Sequence, residues 1–318
     1  MPDLDAIPRD RWQRPLITPP GETEPVPYIR ASTIAGVLDD KTGIHKWEKR
    51  NVARGLLARP DLLALVGAYV DDDKATNRVL DDAANAGGSG RAANYGTAVH
   101  AFTDTIDAGG TPWGVPADRV ADLDAYTRAM AAWEVVAGER FVVCDELRVA
   151  GTFDKLARHR TSPVWGGLHM GDVKTGKDAD HPLKVCIQLA VYAHSDYYDP
   201  ETEERTPTGA DLVSGLLIVV RENTCTIYAA DLEIGWEAAQ LAVGAHRARA
   251  LKPADLITKL DEVHIEPAPD VDPFADIALA NDVDDLRAAY TALVGEGYGP
   301  AEVLARCKAR GQEIGVKL

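Results

Sequence analysis

No CxxC pair occurs in this chain; the four cysteines, Cys144, Cys186, Cys225 and Cys307, stand far apart in the sequence. Zinc-ribbon, thioredoxin-like and clustered iron–sulfur patterns therefore find no foothold, and the thiols read as small buried hydrophobes. There is no GxSxG elbow and no HExxH pair, which removes the serine-hydrolase and zincin readings. Long apolar runs are missing too. The most apolar stretch, Leu212 to Val220, is only strand-length, so no membrane partner is expected. The opening Met1-Pro2-Asp3-Leu4-Asp5 has no basic segment followed by an apolar one, which leads us to expect a cytoplasmic protein. Nor is there an excess of positive charge: 34 Lys and Arg face 50 Asp and Glu, a net charge of −16. That argues against a histone-like or membrane-coating protein, while leaving room for a local basic groove.

What remains is a chain of 318 residues, 46% hydrophobic and 26% charged, large enough for a sizeable core and for appendages. Residues 1–30 carry seven prolines and read as an extended arm over the surface. A helical region is expected over 31–95. It has a helix capped by Ser32, a second from His45 to about Leu57, a third from Asp61 to Val70, a solvated run at Asp71-Asp72-Asp73, and a breaker over 83–96. A core over 96–250 opens with helices at 96–107 and 117–136. Strands follow at 141–143, 147–156 and 169–174, then a helix over 184–197, strands at 212–220 and 224–230, and a helix over 234–250. Residues 251–275 read as a linker. Residues 276–318 read as a helical hairpin, with Pro300 suited to a first helical turn.

The chemistry gathers between Glu146 and Tyr192. Asp172 and Lys174 stand two apart on a strand and so share a face, and Thr175-Gly176 ends that strand at once. Asp154 ends the preceding strand, and a hairpin can bring it beside Asp172. Paired carboxylates call for a proton or a cation, and hard divalent metals prefer oxygen ligands. A lysine beside them can orient a water and stabilise charge developing on a phosphate. Gln188 and Tyr192, four apart on the next helix, either orient that shell or simply pack. His100, on a helix near Gly96, is either a nitrogen ligand, which would admit Mn²⁺ as well as Mg²⁺, or a core histidine. Glu146 either binds a second metal or pairs with Arg148. The segment 171–178 also fits GxxxxGK, but Asp178 stands where a P-loop needs Ser or Thr, so no nucleotide is expected.

Gly96…His100, Glu146…Gly151-Thr152-Phe153-Asp154, Gly171-Asp172-Val173-Lys174-Thr175-Gly176 and Gln188-Leu189-Ala190-Val191-Tyr192 follow one another in an order that resembles the RecB-like nucleases of the PD-(D/E)xK superfamily. The chain looks like a stand-alone exonuclease of the phage type, related to the CRISPR-associated RecB-like exonucleases. The opening Ser32…Trp47…Arg50 resembles them more loosely. The resemblance implies an α/β fold, with a central mixed, mainly antiparallel sheet flanked by helices. It implies metal ligation by His100, Asp154, Asp172 and the Val173 carbonyl, a catalytic Lys174, and support of the site and of DNA by Gln188 and Tyr192. DNA is the implied substrate, Mg²⁺ or Mn²⁺ the cofactor, and a recombination protein a conceivable partner. The CRISPR-associated relatives hold an iron–sulfur cluster on grouped cysteines, which this chain lacks, so no cluster is expected. RecB itself also carries a helicase, for which this chain has no room. Residues 140–195, which include Lys177, hold eight Lys and Arg against six Asp and Glu, a locally basic balance suited to DNA. An endonuclease of the same superfamily, or a non-catalytic DNA-binding adaptor, would carry much the same residues.

Overall fold

Proline density excludes helices from the first thirty residues without excluding strand pairing. In a computed structural model describing residues 7–176, 178–260 and 272–316, β1 (Leu16–Ile17) pairs antiparallel with β2 (Val26–Pro27), and β3 (Ile29–Arg30) joins the main sheet. This arm is not a surface feature: Ile17 and Tyr28 are fully buried. The Tyr28 hydroxyl donates to Asp145 Oδ1 at 2.6 Å, and Arg205 donates to Asp145 Oδ2 at 2.8 Å and to the Thr18 carbonyl at 2.7 Å. The arm is thereby tied to the core by groups far away in sequence.

The helical region comprises α1 (Ala31–Ala35), α2 (Thr42–Ala58), α3 (Pro60–Ala68) and α4 (Asp73–Ala86). Ser32 lies inside α1 and caps nothing; the helix starts from an extended Arg30. Asp72, expected to be merely solvated, caps α4 by accepting the Ala75 N–H. The break expected over 83–96 is confined to Gly87-Gly88, with Gly88 at φ 122°, and Ala83 and Gly87 also serve close approach. A Cβ on Gly55 would fall on the Ala83 carbonyl, and one on Gly87 on the Asn51 carbonyl, so α2 and α4 cross backbone to backbone. The only interruption is Gly87-Gly88, and α5 (Ser89–Asp107) begins directly after it.

After α6 (Val120–Met130) the chain turns into β4 (Trp133–Cys144). The helix expected to run to Val136 stops early, because Trp133, Val135, Val142 and Val143 belong to a strand that pairs along most of its length with β5 (Val149–His159). Next come β6 (His169–Lys174), α7 (Leu183–Ala193), β7 (Asp196–Tyr198), β8 (Arg205–Pro207), β9 (Ser214–Arg221), β10 (Thr224–Asp231) and α8 (Leu232–Arg249). Helix α7 ends before Asp196, whose strand closes on β4. The strand order is β10-β9-β6-β5-β4-β7-β8, with β3 alongside β5. Among the described strands only β6–β9 and β3–β5 pair in parallel, so the fold is α/β with a mixed, mainly antiparallel sheet flanked by helices. One core cluster joins Phe153, Leu156, Met170 and Leu217 to α1, α7 and α8; another joins Ala157, Val173, Leu216 and Ile218 to Val99 of α5 and Tyr126 of α6. Among the cysteines, all free, Cys144 and Cys307 are buried, whereas Cys186 and Cys225 are only partly so.

The chain divides into two compact units, residues 1–252 and 253–318. The second holds α9 (Pro253–Leu256), α10 (Ala275–Leu279), α11 (Val283–Gly295) and α12 (Pro300–Glu313), with Pro300 in the first turn of α12. Ile277, Leu286, Leu293, Val303 and Cys307 form its own small core. Among the described residues no helix is long and apolar enough to cross a membrane.

Candidate functional site

The site is made by two strands that stop being regular at the same place. Along β4 and β5 the register shifts between Val135 and Ala137. It then runs through Gly138↔Lys155 and Arg140↔Phe153, which leaves Glu139 opposite Asp154. Glu139 has φ 49°, a left-handed conformation that is unusual for glutamate within a strand. Phe153 and Leu156, three residues apart, lie in the same core cluster, so β5 loses its alternation across Asp154 and Lys155. On the other side, β5 pairs with β6 only as far as Lys155↔Gly171. Beyond it, the Val173 N–H donates to Asp154 Oδ2 at 3.0 Å, so a side chain continues the ladder where the strand has left it. The result is a notch between β5 and β6, closed behind by the parallel pairing of Asp172, Val173 and Lys174 with β9.

Several chemically capable groups converge there. His100 Nδ1 lies 3.2 Å from Asp154 Oδ2. Ligating atoms of His100, Glu139 and Asp154 all lie within 4.8 Å of one another. Asp172 is buried, with its Oδ2 ion-paired to Lys174 Nζ at 2.5 Å. From α7, Gln188 Nε2 lies 3.4 Å from both Asp172 Oδ1 and the Tyr192 hydroxyl, long contacts that steer the carboxylate rather than grip it. Gly151 is needed for this arrangement: a Cβ there would meet the Tyr192 hydroxyl at 3.0 Å. Gly96 is not needed in that sense, since a Cβ would meet Thr175 Oγ1 at an ordinary 3.6 Å. Arg221 Nη1 donates to the Gly176 carbonyl at 3.1 Å and holds the turn that ends β6.

A second set of polar contacts fixes α5 above β5. Lys155 is buried, with Nζ 2.9 Å from Asp104 Oδ1 and 2.5 Å from Asp107 Oδ2. Asp107 also accepts the Tyr126 hydroxyl at 2.8 Å. His100 and Asp104 are one helical turn apart, and Asp154 and Lys155 are consecutive, so two adjacent rungs lock the helix and set the imidazole over the notch. Beside it, a cleft of about 300 Å³ is lined by Asp104, Ala137, Glu139 and Lys155.

The electrostatics divide the carboxylates. Burial pushes the Asp172 carboxyl up to about 6, with Lys174 opposing and the Asp154 charge adding to the rise. Asp154 is also pushed up by burial, but its hydrogen bond with His100, the charges of His100 and Lys174, and the Val173 N–H together hold it below the usual carboxylate range. The His100 imidazole is raised by its bond to Asp154 against the effect of burial. Glu139 is raised by burial and by the charges of Asp154 and Asp104. Acids crowded until one favours its proton are groups that a cation would relieve.

The donor set fits such a cation. One imidazole nitrogen with two or three carboxylates suits Mg²⁺ or Mn²⁺ better than a thiolate-seeking metal. The His100, Glu139 and Asp154 donors, within 4.8 Å of one another, need only small side-chain adjustments to reach one octahedral shell, whose bonds of about 2.1 Å place opposite ligands about 4 Å apart.

The fold brings His100, Asp154, Asp172, Lys174, Gln188 and Tyr192 together as expected. Of Val173, the side chain packs in the core and only the backbone reaches the notch. Glu146 does not belong to the site. It is exposed in the turn between β4 and β5, and Val149 to Asp154 spans about 16 Å of strand. Arg148, its other expected partner, pairs with Glu22 at 2.7 Å instead. Glu139 stands in the place given to Glu146. Reading the segment 131–136 as helix hid the signal, an aromatic and β-branched strand from Trp133 that sets Glu139 across from Asp154. Lys177 lies outside the described residues. Comparison with known protein families and with curated proteins gives no match.

Proposed function

We propose that this protein is a divalent-metal-dependent DNA exonuclease of the RecB-like kind that its motifs resemble. The observation that carries the reading is the meeting of Asp154, Asp172 and Lys174 in one notch, although the two strands stop pairing just there. Glu139 and His100, supplied by β4 and α5, complete a donor set of the right chemistry. His100, Glu139, Asp154 and Asp172, with the Val173 carbonyl, would hold Mg²⁺ or Mn²⁺, which when bound supplies Lewis acidity toward a phosphate and a water of lowered pKa. Lys174, held by Asp172, positions the attacking water. The water oxygen bonds to phosphorus, the bond to the leaving nucleoside oxygen breaks, and that oxygen takes up a proton. Gln188 and Tyr192 keep the Asp172 carboxylate turned toward the notch.

The test follows end-labelled linear duplex, linear single strands and covalently closed circles in Mg²⁺, Mn²⁺ or EDTA, with Lys174→Ala alongside. Metal-dependent loss of the linear forms with the circle spared is the expected result. Cleavage of the circle would make the enzyme an endonuclease. A wild type that cleaves nothing in either metal would overturn the nuclease reading in favour of an adaptor.

A further inference from the structure

Helix α2 concentrates positive charge in an otherwise acidic chain. Between residues 41 and 59 there are six Lys and Arg and a single acid, Glu48, against a net charge of −16 for the whole chain. The pattern has a direction. Asn51 and Gly55 form the buried side, packed on α4. Lys46, Lys49 and Arg50, at i, i+3 and i+4, project from the opposite side together with exposed Ala53, while Glu48 points away from them. All three cations are exposed, and of them Lys46 has an acid near enough to feel its charge, Asp40 in the loop entering the helix. Of the six, Arg59 is paired with Asp61, and elsewhere Arg148 is paired with Glu22 and Arg158 with Glu134.

The position of the helix matters as much as its charge. The loop entering α2 reaches the segment that follows Lys174. Asp39 lies 3.9 Å from Lys184, at the start of α7, and the charges of His181 and Lys46 act on Asp40. These rim acids are engaged locally, Asp39 with Lys184 and Asp40 in accepting the Thr42 N–H at 2.9 Å. Helix α2 therefore departs from beside the start of α7, the helix that brings Gln188 and Tyr192 to the notch, and runs about 25 Å with its cations on the face opposite α4. A row of exposed cations over more than one turn suits a backbone with one phosphate per about 3.4 Å of each strand.

We infer that the exposed face of α2, with Lys46, Lys49 and Arg50 at its centre, binds the sugar–phosphate backbone of DNA beyond the scissile bond. The inference rests on the nuclease reading of the notch, and the face acts by holding substrate, not by touching the reacting atoms. Its contacts are phosphate contacts, so it sets affinity without sequence preference.

The experiment measures duplex DNA binding by fluorescence anisotropy across a salt series. The full chain carries Lys174→Ala, so that DNA survives. Lys46→Gln, Lys49→Gln and Arg50→Gln are combined in one variant, and the corresponding Glu substitutions in another. The expected result is at least a tenfold loss of affinity for the Gln variant, more for the Glu variant, and a salt slope smaller by about 3. Thermal melting of both should match the parent, since the three side chains are exposed. Arg158→Gln, which removes a paired arginine, should leave the slope unchanged. Undiminished affinity and slope in both triple variants, or no DNA binding by the parent, would overturn the inference. The same triple substitutions on the Lys174 background separate the two readings. Cleavage by wild type with unaltered triple-variant binding sinks only the α2 face. Binding that depends on the triple, without cleavage by wild type, sinks only the nuclease.

Discussion

Two hairpins of the same sheet behave differently. β9 and β10 pair without interruption from Thr224↔Arg221 to Asp231↔Ser214, and their left-handed residues, Glu222 and Asn223, are confined to the turn. A two-residue turn with both φ values positive matches strand twist and costs little. β4 and β5 carry a register shift at Val136 and a left-handed Glu139 inside the strand, and their turn sits at the far end. The regular hairpin supplies a wall of the core. The irregular one aims carboxylates into the notch, so its distortion marks the place where packing has yielded to chemistry.

That contrast can be broken most decisively at the notch itself. Asp172→Ala and Lys174→Ala should each lower metal-dependent cleavage by about 10³-fold, with thermal melting changed little. Retained turnover in either would overturn the nuclease reading of the notch that the irregular hairpin helps to build.

Next in size is the rung beneath it. Lys155→Met leaves Asp107 and Asp104 without their buried cation and should cost about 3 kcal/mol by denaturant titration. Activity should fall as well, because α5 no longer holds His100 in place. A variant as stable as the parent would show that the network is not what fixes the helix.

Glu139→Gln should separate function from stability. Metal affinity by calorimetry should drop by about 10- to 100-fold. The metal-free protein should melt no lower, and at neutral pH slightly higher, since a carboxyl disfavoured by burial and by Asp154 has been removed. Asp172 allows a check with a pH sign. Its folded pKa, near 6, lies above the ordinary 3.8, so its contribution favours the metal-free fold below the ordinary value and is lost as pH rises through 6. Compared with Asp172→Asn, the metal-free parent should therefore lose a few degrees of Tm over that interval, and Mn²⁺ at pH 7 should restore them.

The smallest effect belongs to the regular hairpin. Glu222→Asn with Asn223→Gly should raise stability by about 0.5 kcal/mol, read by denaturant titration, and leave cleavage untouched.

How much of this was legible depended on whether local signals and distant contacts agreed. β6 could be read to the residue, since apolar positions, Asp172 and Lys174 alternate and Thr175-Gly176 ends the strand. β10 and α12 were readable for similar reasons, from β-branched residues after a tight turn and from Pro300 after glycine. The start of β4 was not, because Ala131 and Ala132 continue a helical composition that only the partner strand overrides. The glycines and alanines near 83–96 misled because small residues serve a helix crossing as well as a loop, and the sequence does not say which. The same asymmetry governs the site. Asp154, Asp172 and Lys174 carry a local spacing that betrays them. Glu139 has none, since its membership depends on a register shift in a strand whose start was hidden.

β6 also stands where two kinds of neighbour meet. Gly171 pairs with Lys155 across a short connection, and with Leu216 across a long one that includes α7, β7 and β8. Closing the long connection is entropically slower, so the meander of β4, β5 and β6 should assemble first and β9 dock afterwards. Asp172 and Lys174 take their final positions only when that last seam closes. On the nuclease reading, catalytic competence is then a late event in folding, and a nascent chain would be harmless to nucleic acid until its sheet is complete.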